Sequence, residues 1–279
     1  MTPLEALKRY FGYDSFRPGQ EEIVNALLAG RDALAVMPTG AGKSLCYQVP
    51  ALLLPGITLV ISPLISLMQD QVKALNNAGI RAAFINSSLS EAQIDKALTL
   101  AAEGSYKLLY VAPERLESSA FRSFAAAAEL SMVTVDEAHC ISQWGQDFRP
   151  SYLKILAFVD SLPRRPILSA FTATATRAVQ EDIRCTLRLQ DPKVLVTGFD
   201  RPNLYFQVEA TRRKDDSILS AVFRNSSRRS LPGNRATCLI VCHLHTFSVS
   251  YRKPNPWIPL PLSGRLAFRP QTAFLKASV

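Results

Sequence analysis

Residues 37–44 read Met-Pro-Thr-Gly-Ala-Gly-Lys-Ser, and 93 residues beyond Lys43 an apolar run ends in Asp136-Glu137-Ala138-His139. The first segment has the makings of a phosphate-holding turn. Gly40 and Gly42 permit positive φ and close backbone approach, and the N–H groups from Thr39 through Ala41 to Ser44 can point at phosphate oxygens ahead of a helix N-terminus. Lys43 supplies a mobile charge for the β- and γ-phosphates, and Ser44 a hydroxyl for Mg²⁺. The second segment delivers two carboxylates from the end of a strand. Asp136 is suited to hold Mg²⁺, usually through water, and Glu137 to orient and deprotonate an attacking water. Either segment alone also fits a surface turn or a solvated charge pair, and Met37 stands where the generic phosphate-loop pattern asks for glycine. Together, in this order and each after an apolar strand, they point to a nucleoside triphosphate site.

Such a site needs a scaffold that brings both segments to one edge. Short apolar stretches at 33–37, 57–61, 81–85, 107–111, 132–135, 167–171 and 194–196 read as strands buried on both faces. Helical patterns at 43–54, 65–78, 90–103, 118–128, 151–160 and 176–188 separate them, and helices from Thr2 to about Phe11 and from Pro18 to Gly30 precede them. Alternation of this kind predicts an α/β fold, a mostly parallel sheet with helices on both faces. Ligands of such sheets sit at the carboxyl ends of the strands, where both segments fall.

The chain has 279 residues, 48% of them hydrophobic and 20% charged, ordinary values for a chain with a sizeable core. Its net charge of +9 invites a nucleic-acid reading, but the excess is local. Residues 1–216 hold 23 basic and 23 acidic side chains; residues 217–279 hold 9 basic ones and no acid. The same segment carries six prolines and nine serines. Its Pro254–Pro261 run excludes helix and central strand, so an irregular tail is expected, with 238–242 as its one strand-like stretch. Cys238, Cys242, His243 and His245 match no standard zinc spacing. Five scattered cysteines give no disulfide framework and fit a reduced, cytoplasmic setting. The first ten residues lack the apolar core of a signal peptide, and prolines at 50, 55 and 63 break the most apolar stretch, so no membrane span is expected.

Over roughly residues 2–208 the chain resembles the RecQ family of superfamily-two DNA helicases. The resemblance rests on Phe16-Arg17-Pro18-Gly19-Gln20, Met37–Ser44, Ser62-Pro63-Leu64-Ile65-Ser66-Leu67, Tyr110–Arg115, and Asp136–His139 running into Cys140–Gly145. Asp147-Phe148-Arg149-Pro150, Thr172-Ala173-Thr174-Ala175 and Phe199–Asn203 complete it. It implies a RecA-like domain over 1–208, with ATP and Mg²⁺ as cofactors. The implied activity is unwinding of DNA from 3′ to 5′, coupled to ATP hydrolysis, in repair and recombination. The implied partners are single-stranded DNA and junction or overhang duplexes, in the cytoplasm or, in a bacterium, at the nucleoid.

The family's roles fall on matching residues. Gln20 corresponds to the glutamine that reads the adenine edge, an amide fork being suited to that pattern. Ser62 to Ser66 correspond to a segment that contacts the single-strand backbone. Thr172 and Thr174 belong to the element coupling nucleotide site to DNA, which His139 is expected to reach by hydrogen bond. Trp144, Phe148 and Arg149 belong to an aromatic-rich loop whose rings can stack on bases. Many relatives have histidine where this chain has Gln146. The family's second RecA-like domain contributes arginines from a Gln-x-x-Gly-Arg-x-Gly-Arg type of segment. The sequence holds neither that segment nor a Cys₄ zinc module, so 209–279 is expected to be an aberrant or truncated replacement, of the kind a frameshift produces. Two functions follow: a helicase, or an ATP- and DNA-binding fragment that does not unwind. An RNA helicase of the same superfamily is disfavoured by Gln20 and the Trp144/Phe148 loop.

Overall fold

The strand segments are largely apolar, and in the computed structural model the central ones are buried on both faces while the edge strand at 193–196 is partly exposed. The structure describes residues 1–145 and 147–198, together with the backbone of Phe206–Ala210, Val241–Cys242 and Phe247–Tyr251. The chain divides at Phe199 into two compact units, Met1–Phe199 and Asp200–Val279, ahead of the boundary at 208 expected from sequence.

The first unit alternates strand and helix. α1 (Pro3–Ala6) runs into a π-helical turn (Leu7–Phe11), followed by α2 (Gln20–Leu28), β1 (Ala33–Val36), α3 (Lys43–Leu53), β2 (Ile57–Ile61) and α4 (Ile65–Asn77). β3 (Ala82–Ile85), α5 (Glu91–Ala102), β4 (Leu108–Val111), α6 (Ser119–Ala127) and β5 (Leu130–Val135) come next. α7 (Lys154–Asp160), β6 (Ile167–Thr172), α8 (Arg177–Thr186) and β7 (Lys193–Val196) complete the unit. The sheet order is β3-β4-β2-β5-β6-β1-β7, and every pair is parallel.

Side chains along each strand alternate between two cores, as a pleated strand requires. Leu59 and Ile61 of β2, Val133 and Val135 of β5, and Leu34 and Val36 of β1 meet α5 to α8. Val60, Met132, Ala33 and Ala35 meet α2, α3 and α4 on the other face. Each fully buried Leu, Val or Phe is worth about 1.5–3 kcal/mol against exposure, so the two cores fix the register of the sheet. Helix starts follow their sequence signals: Thr2 with Glu5 and Ser90 with Gln93 form reciprocal capping boxes. The helix expected over 151–160 is instead a 3₁₀ turn (Pro150–Leu153) leading into α7, because Pro150 sets the first turn.

In the second unit β8 (Phe206–Ala210), β10 (Phe247–Tyr251) and β9 (Val241–Cys242) form an antiparallel sheet in that order. This corrects the expectation that nothing regular follows residue 242. Phe247-Ser248-Val249-Ser250-Tyr251 alternates apolar and polar residues with a period of two, a strand signal set in proline-rich surroundings. The proline run and His243 and His245 lie outside the described residues.

Candidate active site

Parallel pairing brings the two chemical segments together. β1 leads into the phosphate loop, and β5, two strands away, leads into Asp136. Gly40 and Gly42 take φ of 82° and 80°, and Gly42 stands immediately before α3. A Cβ on Gly42 would come within 2.4 Å of the Gln20 amide nitrogen and displace that side chain, and the φ of 80° favours glycine whatever the space.

Gln20 is buried at the start of α2. Its Nε2 donates to the carbonyls of Ala41 (3.0 Å) and Gly42 (3.1 Å), and its Oε1 accepts from the Arg17 N–H (2.8 Å). The Arg17 guanidinium donates to the Gly40 carbonyl, and Lys43 Nζ to that of Met37 at 3.1 Å. The carbonyls of the loop are thus held by the chain's own donors. Both N–H groups of the Gln20 amide are spent, and reading an adenine edge requires it to exchange one of them.

Asp136 extends β5, its N–H donating to the Ile61 carbonyl at 2.8 Å. Glu137 then takes φ of 49°, a left-handed conformation that costs a non-glycine residue about 1–2 kcal/mol. Such strain collects at functional sites. The Glu137 N–H donates to Asp136 Oδ1 at 3.0 Å. Burial, and then the charge of Glu137, push the Asp136 carboxyl up to about 6, against the Glu137 N–H, Lys43 and His139, which pull it down. Burial acts to raise Glu137 too, yet the His139 hydrogen bond and the charges of Lys43 and His139 hold it below the usual carboxylate range. A buried carboxylate so poorly compensated is a fitting ligand for a divalent cation. Among the described residues no three His, Cys, Asp or Glu side chains cluster as a metal cage. Mg²⁺ needs no such cage: it binds through one or two carboxylates, water and phosphate oxygens, and Asp136 with the Ser44 hydroxyl fits that pattern.

His139, on a 3₁₀ turn (Ala138–Ile141), bridges two parts of the sheet edge. Its Nδ1 lies 2.9 Å from Thr172 Oγ1 and 3.3 Å from Glu137 Oε2. Thr172 Oγ1 donates to the Thr174 carbonyl (3.2 Å) and accepts from the Thr174 N–H (3.3 Å), so Nδ1 carries the proton. The Cys140 sulfur near Nε2, then the Glu137 carboxylate, push the imidazolium up to about 10. The hydrogen bond expected between His139 and the Thr172–Thr174 segment is present.

The loop after the carboxylates is bound to the same framework. Trp144 is 81% exposed and Phe148 half-buried, so the tryptophan is not a core residue. A Cβ on Gly145 would come within 2.3 Å of the His139 carbonyl; the loop folds back only because none is there. Arg149 pairs with Asp147 at 2.8 Å, donates to the Pro63 carbonyl at 3.3 Å, and gives its N–H to Cys140. Tyr152, buried behind the loop, donates to the Asp136 carbonyl at 3.1 Å. Ser66 is exposed, whereas Ser62 is buried with its N–H spent on the Val111 carbonyl. Of these two candidates for a DNA contact, Ser66 alone offers its hydroxyl to the surface.

A cavity of about 340 Å³ opens between α2, α3 and the end of β5. Gln20, Thr39, Gly40, Gly42, Lys43, Ser44, Asp136 and Glu137 line it; Ala41 does not, its carbonyl being turned to Gln20. Tyr13, Ser15, Arg17 and Leu67 line it as well. Arg17 and Leu67 belong to the segments that carry the resemblance but had no expected role at the site, and Tyr13 and Ser15 lie outside those segments, although Tyr13 is only seven residues from Gln20. Ser62, Ser66, His139, Trp144, Phe148, Arg149, Thr172 and Thr174 fall outside it. No helix among the described residues is long and apolar enough to cross a membrane.

Residues 17–182 match the sequence profile of the DEAD/DEAH box helicases. The chain is 49% identical over 220 residues to the ATP-dependent DNA helicase RecQ of Bacillus subtilis, covering 78% of this chain and 37% of that one. It is 50% identical over 230 residues to the protein of that name from Haemophilus influenzae, covering 82% and 37%. The chain thus spans little more than a third of these relatives' length. Among solved structures, the fold is similar to the Hef helicase domain of Pyrococcus furiosus (20% identity, 64% of this chain and 38% of that one, TM-score 0.51). It is also similar to the DUF1998 helicase MrfA bound to DNA (19% identity, 70% and 29%, TM-score 0.57). The fold expected from sequence, RecA-like with a parallel sheet, is the one found.

Proposed function

Since the chain belongs to the DEAD/DEAH box helicases, we propose that its cavity binds ATP with Mg²⁺ and hydrolyses the triphosphate, as the nucleotide-handling part of a RecQ-type DNA helicase. The observation that carries this reading is the convergence of Lys43, Ser44, Asp136 and Glu137 on one cavity at the carboxyl edge of the sheet. Lys43 exchanges the Met37 carbonyl for phosphate oxygens, and Ser44 and Asp136 would hold a cation that would supply neutralising charge beside those oxygens. Glu137, kept ionised, orients the attacking water and takes its proton. Gln20 binds the base edge, while Tyr13, half-exposed in the cavity wall, offers a face to the base plane.

DNA is the proposed partner, as single strand and as overhang or junction duplex, in a cytoplasmic or nucleoid setting that suits the free thiols of Cys46, Cys140 and Cys185. Ser66, Trp144, Phe148 and Arg149 supply its contacts; Thr172, Thr174 and His139 relay them to Glu137. The proposed division is a RecA-like ATP-binding domain over 1–208, followed by 209–279 as a separate basic segment. A second reading, ATP and DNA binding without unwinding, applies to these 279 residues taken alone, which hold no Gln-x-x-Gly-Arg-x-Gly-Arg segment. An arginine finger contributes about 10³–10⁵ in rate. Hydrolysis of ATP with and without single-stranded DNA tests the proposal: Glu137→Gln should abolish turnover yet keep nucleotide binding. Turnover equal to the parent's would refute the assigned role.

A further inference from the structure

Tyr47 lies three residues beyond Ser44 on α3, so the two side chains share one face of the helix. Its ring is buried and meets Phe171, at the end of β6, edge-on at 5.3 Å. A phenylalanine would fill that space equally well. Yet the residue carries a hydroxyl, and this oxygen is one of four buried side-chain polar atoms among the described residues with no hydrogen-bond partner. Buried polar groups are nearly always paired, and an orphan beside a cation site calls for a water or an ion as its partner. The polar groups acting on this hydroxyl are Tyr110, Asp136 and Ser44. The Tyr110 hydroxyl accepts from Gln48 at 3.1 Å, and neither it nor the Ser44 hydroxyl stands in hydrogen-bond geometry to the Tyr47 oxygen. Ser44 and Asp136 are the two residues that suit Mg²⁺.

Resting on the nucleotide reading above, we propose that Tyr47 is a positioning residue for the metal: its hydroxyl makes its missing hydrogen bond to the water shell that Mg²⁺ brings to Ser44 and Asp136. Tyr47 is not among the residues that line the cavity, which keeps its hydroxyl from direct contact with base or phosphate. It therefore tunes how strongly Mg²⁺ assists nucleotide binding and leaves metal-free binding alone.

Tyr47→Phe in the full chain separates these effects. A fluorescent non-hydrolysable ATP analogue is titrated in EDTA, then at rising Mg²⁺, and thermal unfolding is followed in EDTA without nucleotide. Affinity in EDTA should stay within about twofold of the parent, while the Mg²⁺ concentration for half-maximal enhancement rises about fivefold, the effect of one hydrogen bond. The thermal midpoint in EDTA should hold or rise, since the variant removes an unpaired buried hydroxyl. Phe171→Leu, which loosens the ring but keeps the hydroxyl, should lower the thermal midpoint and leave the Mg²⁺ midpoint in place. An unmoved Mg²⁺ midpoint in Tyr47→Phe overturns this inference alone, as does a lower thermal midpoint, which would reveal a structural partner. A parent chain that binds no nucleotide in either buffer overturns the nucleotide reading and this inference together.

Discussion

Asp136 bears the electrostatic cost of the site. Its pKa in the fold, about 6, lies above the ordinary 3.8, so the stability linked to it is present below about pH 4 and is lost as pH rises through 6. At neutral pH that loss is about 3 kcal/mol. Asp136→Asn is therefore expected to raise the thermal midpoint of the nucleotide-free chain by about 6–12 °C at pH 7.5, and by less at pH 5. The same change removes a ligand, so Mg²⁺ should no longer strengthen nucleotide binding. A midpoint that falls at pH 7.5 would mean that the carboxylate has a partner the account lacks. His139 runs the other way in function: raised to about 10, it stays charged through neutrality and keeps its proton between Glu137 and Thr172. Coupling of ATP turnover to DNA should then be flat from pH 7 to 9 and decline above it as the imidazolium deprotonates.

The element that joins the two chemistries is the loop from Cys140 to Arg149. Its tryptophan is almost fully exposed, so Trp144→Ala should leave the thermal midpoint unchanged. Loss of one stacking partner costs about 1–3 kcal/mol, which weakens single-strand binding by about 5- to 150-fold. Gly145→Ala should act differently: the added methyl collides with the His139 carbonyl, so DNA-stimulated turnover falls while nucleotide binding persists. Stimulation equal to the parent's would show that the loop need not fold back. The central strands were legible because burial on both faces leaves continuous apolar runs, and the phosphate loop because Gly40, Gly42 and Lys43 are chemically unusual at that spacing. Other features were not legible. The left-handed backbone of Glu137, the Arg149 link to Pro63 and the Tyr152 bond to the Asp136 carbonyl depend on which strands lie side by side. Ser62 read as a surface contact because its burial follows from the pairing of β2 with β4, not from its neighbours in sequence.

At the scale of the whole chain, charge and chemistry are separated. Residues 1–216 are balanced, and the basic excess lies in residues 217–279. Non-specific DNA binding through that segment should fall steeply between 50 and 200 mM salt, with a log–log slope near −0.9 for each phosphate neutralised. A salt-independent affinity would point instead to base stacking alone. Strand displacement on a 3′-overhang duplex with ATP is expected to be absent for this chain by itself, and robust unwinding lost in Lys43→Ala would overturn that. The central claim, that the cavity is an ATP·Mg²⁺ site whose principal cation is Lys43, is tested most directly by calorimetric titration of a non-hydrolysable ATP analogue with Mg²⁺ into the parent, Lys43→Arg and Lys43→Ala chains. The account predicts saturable one-site binding to the parent, weaker binding to Lys43→Arg and none to Lys43→Ala at the same concentrations. Equal affinity in all three would contradict it.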